Sequence, residues 1–215
     1  MPQLIVLHFT AMANASAALA RLCEPEHEVS AHYLIGRDGA VYQLVDEAQR
    51  AWHAGAGTWA GCGDVNSRSV GIELDNCGQS PFSAPQMDAL EPLLKGIMAR
   101  WNIPAKGVIG HSDMAPIRKG DPGRRFDWRR LAKSNVSVWP CAVAPSQWPC
   151  APQEGAFLDA ARRFGYDPAC GGATLLAAFR QRFRPHATGP LNGADLAAIE
   201  NLAQRFPIDP CLPNA

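Results

Sequence analysis

Two histidines and one aspartate have the residue types and positions of a metal site. His8 and His111 each come at the end of a short apolar run, and Asp121 lies in the loop that follows His111. A single histidine at the end of a strand is more often a structural hydrogen-bonding partner than a ligand. The presence of Asp121 as a third possible ligand therefore supports a metal site. Two imidazoles and a carboxylate are a common catalytic zinc set, because three protein ligands leave a fourth position open for water.

A zinc ion held in this way has a defined chemistry. It lowers the pKa of its bound water to about 7 and polarises a carbonyl oxygen, which together favour hydrolysis. The three residues therefore predict a metal-assisted hydrolase that acts on an amide or an ester.

The elements around the histidines must bring them together. The segment Gln3 to Phe9 is rich in branched apolar residues and predicts a buried strand, and Gly107 to Gly110 predicts a shorter one. Side chains at the ends of neighbouring strands project at one rim of a sheet, where binding sites tend to lie. The loop after His111 is stiffened by Pro116 and Pro122, and it can fold Asp121 back towards that histidine.

The remaining pattern up to residue 137 alternates strands and helices. Ser83 and Gln86 fit a capping box, and apolar residues then recur at helical spacing as far as Trp101, which predicts a long amphipathic helix. The glycine-rich segment Arg50 to Val65 predicts a loop. The other predicted elements are a helix at Asn14 to Leu22, a hairpin of His32 to Ile35 with Ala40 to Val45, a strand at Ser69 to Asp75 and a helix at Trp128 to Lys133.

This alternation predicts an α/β fold with a central mixed β-sheet flanked by helices, plus a small C-terminal three-helix domain. The Pro-rich stretch 138–152 cannot continue a helix and predicts a semi-rigid linker. We therefore predict a catalytic domain at 1–137, the linker at 138–152 and a helical domain at 153–215. Three amphipathic patterns, which contain Phe157, Phe179 and Ile199, predict the helices of that last domain.

Composition excludes several classes of protein. Lys plus Arg and Asp plus Glu number 20 each, so no net charge favours nucleic acid or an anionic membrane. No apolar run reaches the roughly 18 residues that a membrane span needs. The opening residues lack the features of a secretory signal. We expect either a cytoplasmic protein that begins at Met1 or, slightly favoured by the loop cysteines, a periplasmic or envelope protein whose leader has been removed.

Seven cysteines form no Cys-x-x-Cys pair, which argues against a structural zinc knuckle or a thioredoxin-like redox site. Most of them lie next to residues typical of loops. The sequence leaves open whether they are reduced thiols or form disulfides.

Five segments, in order, resemble the type 2 N-acetylmuramoyl-L-alanine amidases, which are related to phage lysozyme-amidases and animal peptidoglycan-recognition proteins. They are Leu-His-Phe-Thr at 7–10, Ser-Ala-His-Tyr at 30–33, Arg-Ala-Trp-His-Ala-Gly at 50–55, Ser-Val-Gly-Ile-Glu at 69–73 and the loop from Gly110 to Gly123. Each segment alone is weak, but five in order are specific. The resemblance spans residues 3 to 132.

The resemblance implies that His8, His111 and Asp121 bind one zinc ion per chain, with Glu73 and Lys119 beside it as catalytic groups. Glu73 could take a proton from the water and pass it to the leaving nitrogen. Lys119 could support the oxyanion.

Three further polar residues receive roles from the same resemblance. His53 resembles the family's site-lining histidine and is predicted to contact substrate. Asn66, which precedes the glutamate strand, is predicted either to bind substrate or to brace the loop. His32 is expected to be a structural partner inside the wall of the site.

The C-terminal part resembles small three-helix peptidoglycan-binding domains that are attached to some of these amidases. The similar segments are Phe164-Gly-Tyr-Asp, residues 177–185 and the final helix. The implied role is to hold the enzyme near glycan or a muropeptide, and Cys170 and Cys211 could form a disulfide that closes this domain.

The expected function is zinc-dependent hydrolysis of the amide between N-acetylmuramic acid, or its 1,6-anhydro form, and L-alanine in peptidoglycan or released muropeptides. The expected enzyme serves cell-wall turnover or recycling and is a monomer. One alternative is a non-catalytic peptidoglycan-recognition protein on the same fold, although such relatives lack part of the ligand set. Another is a zinc peptidase that cuts within the stem peptide.

Overall fold

A five-stranded mixed sheet forms the centre of the molecule. The computed structural model describes residues 1–208. The strand order is β3-β2-β4-β1-β5. Strand β1 is parallel to β4 and β5, β2 is parallel to β4, and β3 is antiparallel to β2. The strands are β1 (Leu4–Phe9), β2 (Tyr33–Ile35), β3 (Val41–Gln43), β4 (Ser69–Leu74) and β5 (Val108–Gly110).

Helices cover both faces of this sheet, as the α/β prediction requires. Within residues 1–208 they are α1 (Ala15–Cys23), α2 (Ala84–Trp101), α3 (His111–Met114), α4 (Trp128–Lys133), α5 (Glu154–Phe164), α6 (Gly172–Phe183) and α7 (Gly193–Arg205). Each element predicted from the sequence is present to within about two residues at its ends. The single-turn helix α3 was predicted as loop. Over residues 1–208, no helix combines the length and the apolar character that crossing a membrane requires.

The alternation of side chains along β1 divides the core in two. Leu4 and Val6 point to the face covered by the three C-terminal helices α5 to α7, where they join a cluster with Trp59 and Phe179. Ile5 and Leu7 point to the opposite face, which α2 covers with an apolar stripe of Met87, Leu90, Leu94 and Ile97. His8 continues the first series, so it emerges on the face of the C-terminal helices.

The capping box predicted at the start of α2 is only half formed. The Ser83 side chain accepts a hydrogen bond from the Gln86 backbone N–H at 3.3 Å, as expected. The Gln86 side chain does not reach back to Ser83. It is fully buried and donates to the carbonyl oxygen of Ile35 at 2.8 Å, an oxygen that also accepts from the Asp75 N–H at 2.9 Å.

Residues on both sides of the predicted linker contribute to one apolar cluster. Trp59, from the loop before β4, packs edge-on against Phe164 and Tyr166. The stretch 138–152 itself contains one short 3₁₀ turn, Pro145–Gln147, and no longer element. The division into domains stays a prediction, but the helices pack directly on the sheet.

The cysteine expectation for the C-terminal helices is wrong in one respect. Cys170 is a free thiol, as are Cys23, Cys77, Cys141 and Cys150. A disulfide through Cys170 is therefore not formed, and Cys211 lies outside the described residues.

Candidate metal centre and active site

The three residues proposed as metal ligands meet at one point. Nδ1 of His8 lies 2.9 Å from Nδ1 of His111, and each of these nitrogens lies 3.0 Å from Oδ2 of Asp121. All three side chains are buried. Of the described histidines, cysteines, aspartates and glutamates, these three form a group whose ligand atoms could hold one ion.

The sheet and one loop bring these side chains together. His8 lies near the end of β1, and His111 begins α3 directly after the neighbouring strand β5. The intervening loop then returns, and the Ser112 N–H donates to the Asp121 carbonyl oxygen at 2.8 Å. The loop after His111 thus folds back as the sequence predicts.

The tautomer of His111 follows from its second nitrogen. Nε2 of His111 lies 2.7 Å from the carbonyl oxygen of Ala54. A carbonyl oxygen can only accept, so Nε2 carries the proton and Nδ1 presents a lone pair to the centre.

The tautomer of His8 is fixed by a longer chain of hydrogen bonds. The Ser69 hydroxyl donates to the Val65 carbonyl oxygen at 2.6 Å, so its oxygen accepts from Nε2 of His53 at 3.3 Å. Nδ1 of His53 is then an acceptor for Nε2 of His8, which lies 3.0 Å away. Nδ1 of His8 therefore also presents a lone pair to the centre.

These lone pairs make the centre suitable for a cation. Two neutral imidazole nitrogens and a carboxylate oxygen that face one another at about 3 Å repel, and a divalent ion between them removes that repulsion. Neutral histidine and ionised carboxylate are also the protonation states that a metal requires. The donor set, two nitrogens and one oxygen, fits zinc.

The surroundings favour the same protonation states. Burial, followed by the neighbouring His111, lowers the pKa of His8 to about 4. Burial alone would raise the pKa of Asp121, but the neighbouring His111 and His8 outweigh it and hold that pKa well below its ordinary value. At neutral pH the imidazole of His8 is therefore neutral and the carboxylate of Asp121 is ionised.

Glu73 stands beside His8. The two residues are direct partners in the register of β4 and β1, so their side chains leave the sheet on the same face. Oε2 of Glu73 is buried and has no hydrogen-bond partner among the described residues. Burial, followed by the charge of Asp121, raises the pKa of Glu73 to about 8, while the charge of Lys119 acts in the opposite direction.

The part of the chain that contains this site matches a known protein family. The family described as N-acetylmuramoyl-L-alanine amidase matches residues 1–124, which is more than half of the chain. The chain belongs to this amidase family. The match includes His8, His111 and Asp121 together with Glu73 and Lys119.

The similarity to known amidases continues beyond the family match and covers almost the whole chain. It is 33% identical to the N-acetylmuramoyl-L-alanine amidase AmiD of Escherichia coli over 95% of this chain and 83% of the relative. The structure of Escherichia coli AmiD in complex with anhydro-N-acetylmuramic acid-L-Ala-D-gamma-Glu-L-Lys superimposes with a TM-score of 0.87, covering 95% of this chain and 90% of that one. AmpDh3 from Pseudomonas aeruginosa, in complex with anhydromuramic pentapeptide, is 30% identical with a TM-score of 0.87, covering 96% and 93%.

These findings confirm the family, the α/β fold and the expected activity, hydrolysis of the amide between N-acetylmuramic acid and L-alanine. The alternative of a non-catalytic recognition protein loses its support, since the three residues predicted as ligands are all present and lie together.

The amidase has a cavity of about 390 Å³ over the centre. His53, Glu73 and Lys119 line it, and Lys119 is exposed. Asn66 is not among its lining residues. The Asn66 side chain is buried beneath the loop and accepts from the N–H groups of His53 and Ala54 at 3.1 and 2.8 Å. It braces the loop, and a contact of His53 or Asn66 with substrate stays a prediction.

Arg118 and Trp52 are among the residues that line the cavity but were not identified from the sequence. The Arg118 guanidinium donates to the carbonyl oxygens of Ala54 and Ala56, which fixes the loop along the cavity wall. Trp52 is 55% exposed at the rim. Both lie inside the segments that carry the family resemblance, so their position next to His53 and Lys119 was the available signal.

His32 has the structural role expected of it. Its Nε2 lies 3.0 Å from the Gln49 carbonyl oxygen, and its Nδ1 accepts from the Gly71 N–H at 2.9 Å. It links β4 to the loop and does not line the cavity.

Proposed function

We propose that this amidase is zinc-dependent and that His8, His111 and Asp121 hold the ion. The observation that supports the proposal is the convergence of three lone pairs within 3.0 Å of one another, each fixed by a partner on the far side of its ring or by the loop. Zinc bound there supplies a Lewis acid for the substrate carbonyl and makes water a usable nucleophile at neutral pH.

Glu73 is the proposed general acid and base. Its carboxylate adjoins His8 across β1 and β4, and Oε2 is available because nothing among the described residues binds it. It takes the proton of the attacking water and later gives a proton to the L-alanine nitrogen as the amide bond breaks. Its raised pKa suits both steps, since a group that exchanges protons works best when its pKa lies near the working pH.

Lys119 is the proposed partner of the developing oxyanion. It lies in the loop two residues before Asp121 and lines the same cavity. Its ammonium group is exposed and can turn towards the lactyl carbonyl oxygen of a bound substrate. A positive charge at that position is most useful in the transition state, where the oxygen becomes negative.

The proposed substrate is a muramyl peptide, either released in the 1,6-anhydro form or present in peptidoglycan. Two relatives of the same overall structure are recorded in complex with anhydromuramic peptides. The open cavity of this amidase, with a tryptophan at its rim and basic side chains along one wall, suits a ligand that combines a sugar with an acidic peptide.

Mass spectrometry of a purified anhydro-muropeptide tests the proposal. The zinc-loaded protein is expected to release the intact stem peptide and the free sugar acid. A chelated sample and the His111→Ala variant should leave the substrate uncut, whereas His186→Ala, which removes an exposed histidine outside the site, should cut normally.

Two outcomes would contradict the proposal. Cleavage within the stem peptide, with alanine left on the sugar, would indicate a peptidase. Full activity after exhaustive chelation, with no metal detected in the protein, would exclude the zinc mechanism.

A further inference from the structure

The aspartate two residues after the ligand His111 is the most heavily bound carboxylate near the site. Asp113 lies in α3 and is buried. Its Oδ2 accepts from the Gly110 N–H at 2.8 Å and from Arg182 at 2.6 Å, and its Oδ1 accepts from the Tyr166 hydroxyl at 2.6 Å. Gly110 and Asp113 lie on either side of His111 in the sequence, so these bonds hold the backbone that carries the ligand.

The cationic partner of Asp113 comes from the far end of the chain. Arg182 lies in α6, and both side chains of the ion pair are 1% exposed. Its second guanidinium nitrogen donates to the Val108 carbonyl oxygen at 2.9 Å, in the strand that leads to His111. The guanidinium also lies over the Trp128 ring at 4.2 Å. Arg182 thus binds β5 before His111 and α3 after it.

Overall stability does not explain such a pair. Removing two charges from water costs free energy, and a buried ion pair is often no more stabilising than well-packed apolar residues of the same volume. A fixed, planar guanidinium does hold its hydrogen-bond partners in a defined arrangement, because its donors have defined directions. The bonded atoms here belong to Val108 and Asp113, which bracket the metal ligand.

We propose that Arg182 is a positioning residue for the metal ligand His111, so that the C-terminal helices complete the metal centre from behind. This inference rests on the proposed zinc function. Arg182 orients α3 through Asp113, and α3 sets the direction of the His111 ring and its contact with the Ala54 carbonyl oxygen. The C-terminal part of the chain therefore contributes to metal affinity as well as to any binding of cell-wall material.

The test compares two buried arginines of the same helix in the full chain. Arg182→Met keeps most of the volume and removes the charge. Arg180→Met is the matched control, because Arg180 pairs with Asp195 in an ion pair that is similarly buried, 7% and 0% exposed, and lies wholly within the C-terminal helices. Zinc affinity is measured by competition with a chromophoric chelator, and folding by near-ultraviolet circular dichroism and thermal unfolding of the metal-free forms.

Arg182→Met is expected to bind zinc about 10- to 100-fold more weakly, the usual loss when a residue that orients a ligand is removed. Arg180→Met should bind zinc as the unchanged protein does, even where its thermal stability falls by a similar amount. Arg182→Lys, which restores one charged donor, should recover part of the affinity. The visible spectrum of the cobalt-substituted protein should change in Arg182→Met alone, because it reports ligand geometry.

Equal zinc affinity in Arg182→Met and the unchanged protein would overturn the positioning role. If Arg182→Met does not fold, Tyr166→Phe decides, since it removes one hydrogen bond to Asp113 and keeps the ring packing. Tyr166→Phe is expected to lose affinity severalfold, and an unchanged value there would likewise reject the inference. Absence of zinc binding by the unchanged protein would instead reject the proposed function, and this inference with it.

Discussion

The imidazole of His53 lies directly over Gly71. A Cβ atom at position 71 would fall 2.3 Å from Cγ of that ring, far inside any normal contact. Gly71 is in the middle of β4, where glycine weakens a strand and has no side chain to pack. Glycine at this position therefore weakens the strand but leaves space for the His53 ring. Nδ1 of that ring lies 3.0 Å from Nε2 of His8.

The variant Gly71→Ala should damage the metal centre although it touches no ligand. The added methyl group must displace His53, and His8 then loses the partner that fixes its tautomer. We expect a loss of about 1–3 kcal/mol in the free energy of unfolding, as is usual for an overpacked site. Zinc affinity, measured by chelator competition, should fall as well.

Gly63→Ala is the control for this change, because a Cβ at position 63 would meet no atom within 4 Å. It should leave zinc affinity unchanged. A Gly71→Ala protein that is less stable yet binds zinc with unaltered affinity would show that His53 does not orient His8.

Ser69→Ala tests the outer end of the same chain. Without the hydroxyl, Nε2 of His53 loses its acceptor, and the ring can place its proton on the other nitrogen, towards His8. We expect zinc affinity to fall by up to about tenfold, the lower end of the range for groups that orient ligands. Ser67→Ala, at an exposed position two residues earlier, is the control.

Nitrogen NMR of the imidazole rings in the metal-free protein gives a direct measurement. In the unchanged protein we expect the proton of the His53 ring on Nε2. In Ser69→Ala we expect a mixture of the two tautomers. Identical imidazole spectra in the two proteins would refute the proposed chain of hydrogen bonds.

The sequence was sufficient to predict the sheet and the meeting of His8, His111 and Asp121, because both depend on local signals. His8 follows a strand whose apolar residues alternate between the two faces, and Asp121 lies in a loop whose prolines restrict its path. The match of α2 to its predicted range reflects the helical spacing of its apolar residues and the cap that the Ser83 side chain provides. None of these inferences needed a contact between distant elements.

The parts that were not predicted all depend on such contacts. From the sequence alone Gly71 is only an unfavourable residue within a strand. The reason for it is the His53 ring that lies over it in the structure. In the sequence Arg182 cannot be distinguished from the other basic residues of its helix, because its partner Asp113 is 69 positions away. Helix α3 was predicted as loop since a single turn has no periodicity to detect.

Glu73→Gln should separate chemistry from metal binding. The amide keeps the shape of the side chain but can neither take the proton of the attacking water nor return it to the leaving nitrogen. We expect kcat for anhydro-muropeptide cleavage to fall by about 10²- to 10⁴-fold, the usual contribution of a general acid or base. Zinc affinity should stay within a few fold, because Glu73 is not a ligand.

The control for Glu73→Gln is Glu200→Gln, at an exposed position of α7. It should retain full kcat. A Glu73→Gln enzyme that turns over normally would assign the proton transfers to another group.

A pH-dependent contribution to stability is expected away from the active site, at Glu47. This buried carboxylate accepts hydrogen bonds from Tyr33 at 2.6 Å, from Nε of Arg100 at 3.1 Å and from Trp101 at 2.5 Å. Burial alone would raise the pKa of Glu47, but the hydrogen bonds from Arg100, Tyr33 and Trp101 outweigh it and lower that pKa from 4.5 to about 2. The folded state therefore binds the proton less readily than the unfolded chain.

Because the pKa of Glu47 is lower in the folded state, its contribution is complete above about pH 4.5 and is lost as the pH falls towards about 2. Glu47→Gln should lower the free energy of unfolding at neutral pH by about 2 kcal/mol, as expected for hydrogen bonds to a charged group. Urea unfolding of the metal-free proteins should show that difference shrinking between about pH 4.5 and about 2, with Glu26→Gln, at an exposed position, unaltered throughout. A difference that stays constant over this interval would mean that the ionised form of Glu47 is not what links α2 to β2.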